Sequence, residues 1–145
     1  MTVVSAGSIY SESWKTVRNL INENRTVLSG CYAAFPDFDD QKTRINYPLC
    51  TVETALANNT DKSFGLKNRE LTISFEISCF SKKAEQLDEI VNEVDYALTS
   101  NQTVTDGSGL KALNLTSNST DHVVINNEKV HMKTLVATYV WRGDL

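Results

Sequence analysis

No apolar run in these 145 residues approaches the roughly 18 needed to cross a bilayer as a helix. Met1 to Gly7 lacks the charged-then-apolar layout of a secretory leader, so an intracellular chain with no membrane partner is expected. Positive charge is in deficit. With 14 Lys and Arg against 18 Asp and Glu, the net charge is −4 at pH 7. That balance argues against a protein that grips nucleic acid by neutralising phosphates. Cysteine is scarce: Cys31, Cys50 and Cys79 are odd in number and widely spaced, which suggests neither a disulfide framework nor a CxxC metal clamp. Cys79 falls inside an apolar alternation and reads as a small core residue. No Gly-rich strand-to-helix turn occurs, no Ser or Cys has a convincing His partner, and no acid pair stands out from ordinary surface carboxylates. These absences predict a protein that is not an enzyme and carries no cofactor.

What is present is ordinary globular material, 41% hydrophobic and 22% charged. Its length fits one domain over residues 1–145, able to bury about 70% of its unfolded surface without a staple. Ser11 reads as the N-cap of a first helix, with Trp14, Val17, Leu20 and Ile21 along one face and an end near Asn22 to Arg25. A strand interrupted near Gly30 is expected within Thr26 to Phe35, followed by an acidic loop holding Asp37, Asp39 and Asp40. Tyr47 to Val52 predicts a second strand with Pro48 at its start, and Asn58 to Asn68 a turn-rich loop.

The clearest strand alternates Leu71, Ile73, Phe75, Ile77 and Cys79 against Glu70, Thr72, Ser74, Glu76 and Ser78, giving one buried and one wet face. Ser81 reads as the cap of a second helix, whose stripe runs through Ala84, Leu87, Ile90, Val91, Val94, Ala97 and Leu98. Asn101 to Thr120 reads as an irregular connection with a short strand around Leu110 to Leu115. A closing hairpin turns at Asn126-Asn127, and a two-residue turn sets Ile125 opposite Glu128, Val123 opposite Val130 and His122 opposite His131. The fold class that follows is α+β, in the order α-β-β-β-α-β-β, with an antiparallel or mixed sheet and both helices on one face.

Several short patterns have a functional and an ordinary reading. Opposed His122 and His131 could share a metal, but spacing places no third ligand, so surface histidines and no metal site are expected. Arg142-Gly143-Asp144 spells an adhesive tripeptide and reads better as a polar tail after a strand that Gly143 ends. Asn-x-Ser/Thr sequons at Asn24, Asn58, Asn101, Asn114 and Asn118 read as an Asn- and Thr-rich composition. Asp37, Asp39 and Asp40 do not follow calcium-loop spacing. The last strand is different, because Val130, Met132, Val136 and Val140 occupy one face and Leu135, Ala137, Tyr139 and Trp141 the other. Two helices can cover only one face, so either Phe80, Tyr139 and Trp141 make a subunit contact, or the N-terminal segment or the Asn101–Thr120 connection folds over them.

This order of elements resembles the tail-terminator (tail-completion) proteins of long-tailed bacteriophages. The resemblance rests on Phe35-Pro36-Asp37 leading to Tyr47-Pro48-Leu49-Cys50-Thr51-Val52-Glu53, and on Leu71 to Phe80 passing through Ser81-Lys82-Lys83 into the Ala84–Leu98 helix. The closing His131 to Trp141 strand completes it. It implies a homohexameric ring in the virion neck that caps the tail tube, stops its polymerisation and meets the head-completion or connector protein. DNA would pass through such a ring without sequence-specific binding, which suits a mildly negative chain. Tube or subunit contacts are expected from Phe80, Tyr139 and Trp141 and from the loop residues Asn58, Asn59, Asp61, Lys62, Phe64 and Lys67. Other head–tail neck proteins share the layout, and a small dimeric ligand-binding or regulatory domain is the alternative from a different class.

Overall fold

The computed structural model describes residues 9–32, 46–61, 68–118, 120–125 and 127–144. In chain order the elements are α1 (Ile9–Glu23), β1 (Gly30–Tyr32), β2 (Leu49–Asp61), β3 (Asn68–Ser81), α2 (Ala84–Ser100), α3 (Gln102–Gly107), β4 (Leu110–Ser117), β5 (Asp121–Ile125) and β6 (Glu128–Asp144). The fold is α+β. Among the described residues the strands form one six-stranded sheet in the order β1-β2-β3-β6-β4, with β5 also pairing β6. Only β1 and β2 run parallel, and the other pairs are antiparallel.

Strand β3 divides the molecule as its alternation predicts. Leu71, Ile73, Phe75, Ile77 and Cys79 are all buried, and their register partners Trp141, Tyr139, Ala137 and Leu135 on β6 share their face. Cys50 and Val52 of β2 extend the same surface. Val17, Leu20 and Ile21 of α1 and Leu87, Ile90, Val91, Val94 and Leu98 of α2 close over it in one apolar cluster. Ring packing between Phe75 and Tyr139 is edge-on, with centroids 6.3 Å apart. A smaller cluster of Leu49, Phe80 and Val130 lies on the opposite face at one end of the sheet, joined by Tyr32, Val123, Ile125 and Met132.

The closing hairpin has the predicted register, Ile125 to Glu128, Val123 to Val130 and His122 to His131. Asn127 takes a left-handed conformation, φ 62°, as a tight primed turn requires. Other boundaries differ from expectation. Helix α1 already runs at Ile9, so Ser11 lies inside it and is not the cap. Lys83 holds the N-cap position of α2. Ser81 instead ends β3, where its Oγ accepts the Lys83 N–H at 3.2 Å and donates to Gln86 Oε1 at 2.8 Å. Gly30 begins a strand rather than interrupting one. Asn58 to Asp61 continue β2, paired with Thr72, Leu71, Glu70 and Arg69, because pairing with a long neighbouring strand overrides their low strand propensity. The expected irregular connection contains α3 and all of β4. Asn101 organises that change: its side chain donates to the Ala97 carbonyl at 2.8 Å, and its own carbonyl accepts from Val104 and Thr105.

Candidate interaction surface

The two edges of the sheet are treated differently. At the β1 edge, the backbone of Cys31 is occupied by α1: its N–H donates to Asn22 Oδ1 at 3.3 Å, and its carbonyl accepts from Arg18 Nε at 3.1 Å. The Arg18 guanidinium also sits 5.6 Å from the Trp14 ring centre, while Trp14 Nε1 donates to the Val52 carbonyl at 2.6 Å. These side chains bolt α1 along the edge and occupy groups another strand would need. At the far edge, β4 and β5 lie in succession along the side of β6 that β3 does not use. Among the described residues no strand lies beyond them. Lys111, Ala112, Asn114, Thr116, Ser117, Asp121, His122 and Val124 are exposed there. A bulge between Lys111 and Asn114, with Ala112 at φ 56°, bends this edge near its start.

The sheet face away from the helices is a lattice of hydroxyls. Ser74 and Thr138 hydroxyls are 3.0 Å apart, and those of Ser78 and Thr134 are 3.4 Å apart. Val136 and Val140 are half-buried among them. Glu53 and Glu76 stand directly opposite each other on neighbouring strands, both exposed. Like charges in that position weaken a sheet, so nothing in strand pairing favours them. The β3 alternation predicted this face, but the opposition of the two glutamates depends on a long-range register that no local pattern carries.

The sequence-predicted contact residues are only partly brought to a surface. Tyr139 and Trp141 are buried by the chain's own helices and by the α3–β4 turn, where Gly109 approaches the Trp141 indole. Burial pushes the Tyr139 hydroxyl above its ordinary range, tempered by the Thr105 hydroxyl. Phe80 fills the second apolar cluster. The half-covered face of β6 is therefore that of Val136 and Val140, and of the two expected readings it is the one with the Asn101–Thr120 connection packed over Trp141 that the structure has. Asn58, Asn59 and Asp61 lie in strand β2, whereas Lys62, Phe64 and Lys67 fall outside the described residues, as do Asp37, Asp39 and Asp40. Arg142-Gly143-Asp144 remains paired to Glu70, Arg69 and Asn68, so Gly143 does not end β6.

His122 and His131 face each other as predicted, but no group of three metal-ligating side chains occurs among the described residues. An open groove of about 510 Å³ runs beside α1, lined by Glu12, Lys15, Asn19, Glu23, Leu20 and Val104. Its lining mixes charged, polar and apolar side chains and lies open to solvent, without the apolar enclosure of a small-molecule site. The three cysteines form a row across neighbouring strands, Cys31 beside Cys50 and Cys50 beside Cys79, all buried and reduced. The Cys50 thiol donates toward the Cys31 sulfur, which with Arg18 nearby holds Cys31 below the usual thiol range and raises Cys50. Burial pushes Cys79 up to about 12.

No family model and no curated protein matches this sequence. Among solved structures, the chain is similar to one in "Virion of native gene transfer agent (GTA) particle". The two are 14% identical, with 95% of this chain and 97% of that chain covered and a TM-score of 0.42.

Proposed function

We propose that this chain is a structural protein of a phage-type virion, a tail-terminator-like subunit that assembles with copies of itself into a ring and caps a tail tube. The carrying observation is the contrast between the edges: α1 closes the β1 edge, while at the other, among the described residues, no strand lies beyond β4 and β5. An open edge gives a second copy or another virion protein a place to add a strand, and the ring arrangement itself rests on the resemblance in sequence layout. The hydroxyl-lined face, interrupted by Glu53 and Glu76, offers a polar surface for contact with other subunits. In this reading the protein breaks no bond and needs no cofactor, and its net charge of −4 lets DNA pass without phosphate contacts holding it. The finer assignment, a homohexamer between tail tube and head-completion protein, rests on the resemblance in sequence layout.

The same open edge favours a second reading, because two copies could pair β5 to β5 about a two-fold axis and form a dimer. Negative-stain imaging of the purified protein with tail tubes separates the two. Rings seated on tube ends support the terminator reading, and two-fold particles that ignore tubes support the dimer.

A further inference from the structure

The cysteines that spacing set aside become neighbours on folding. Cys31 of β1 lies in parallel register with Cys50 of β2, and Cys50 in antiparallel register with Cys79 of β3, so three thiols stand side by side on one face. Adjacent strands lie about 4.8 Å apart, within the roughly 4.4–6.8 Å between Cα atoms that a disulfide spans. We propose that Cys31 and Cys50 form an oxidisable dithiol, a modification site that closes to an intrachain disulfide on exposure to a hydroperoxide and staples β1 to β2.

Three features select this pair over Cys50 and Cys79. Cys31 is the thiol whose surroundings favour the thiolate, through the Cys50 S–H and the Arg18 guanidinium. Cys79 sits deepest in apolar surroundings, and burial keeps it protonated. Strand β1 is three residues long and lies at the edge, so it opens locally at lower cost than β3, the strand held between two long partners. A water-sized oxidant reaches a buried edge thiol through such openings. The Cys31 thiolate attacks one peroxide oxygen, the O–O bond breaks, and the departing hydroxide takes a proton to leave as water. The Cys50 sulfur then attacks the Cys31 sulfenic acid, the S–O bond breaks, and a second water carries away the Cys50 proton. Two thiols are oxidised and one peroxide is reduced. In a reducing cytosol the row stays open, and outside the cell it closes.

The test treats the folded, reduced protein with hydrogen peroxide, removes the excess with catalase, then denatures, alkylates and maps the peptides. The expected product is a monomer lighter by two hydrogens, with one alkylated thiol, Cys79, and a peptide joining Cys31 to Cys50. Cys79→Ser keeps that link. Cys50→Ser loses it and leaves a sulfenic acid at Cys31 that dimedone traps. Oxidation of the urea-unfolded chain gives a mixture of links, which shows that the fold makes the choice. Three alkylatable thiols after treatment, a link to Cys79, or disulfide-joined dimers would each overturn the proposal. The wild-type peptide map decides even where a variant fails to fold.

Discussion

Gly109 and Ala112 hold opposite kinds of residue in the same region of backbone space. Gly109 has φ 95°, and a Cβ there would lie 3.3 Å from the Trp141 ring. Gly109→Ala should therefore lower stability by about 1 kcal/mol or more, read as the urea midpoint. Ala112 carries φ 56° with a Cβ in place. Ala112→Gly relieves the left-handed strain and should gain up to about 1 kcal/mol, after the entropy that glycine adds to the unfolded chain is subtracted. Trp141 is 3% exposed, which makes it a core residue. Trp141→Ala should cost about 3–5 kcal/mol in the same titration, a folding defect before any assembly defect.

Among the elements, one carboxylate gathers three backbone donors in the connection from α1 to β1, beside the bonds that tie Ser29 to Pro48. Glu93 of α2 accepts the backbone N–H of Thr26, that of Val27 at 3.0 Å and that of Leu28 at 3.4 Å. Glu93→Gln keeps the shape but loses the charge that three donors converge on. A loss of about 1–2 kcal/mol is expected, together with faster amide exchange at those three residues. Legibility in the sequence also divides by element. Strand β3 could be read because one buried face imposes a strict period of two, and the hairpin because a two-residue turn fixes every later pair. Asn58 to Asp61 could not, since their composition is that of a loop and only the long-range pairing with β3 makes them a strand. Both faces of β6 are apolar, so its own pattern could not say which the helices cover. The register of Leu135, Ala137, Tyr139 and Trp141 with the buried side of β3 decides it. The thiol row and the opposed glutamates were invisible for the same reason, as each joins residues far apart in the chain.

In the whole molecule, the sheet is closed at one edge by α1 and, among the described residues, open at the other. Val124 is 71% exposed on β5 and pairs with Lys129 one step beyond the turn-closing pair of Ile125 and Glu128. In an antiparallel ladder such alternate positions point their N–H outward. Val124→Pro removes a donor at the open edge without removing one from the ladder. It should leave the urea midpoint nearly unchanged while disrupting assembly. Native mass spectrometry of the purified wild-type protein, with and without tail tubes, tests the central claim most directly. The account predicts a closed homo-oligomer of six copies that Val124→Pro reduces to monomer. A wild-type protein that stays monomeric under both conditions would contradict it, as would a dimer indifferent to that substitution.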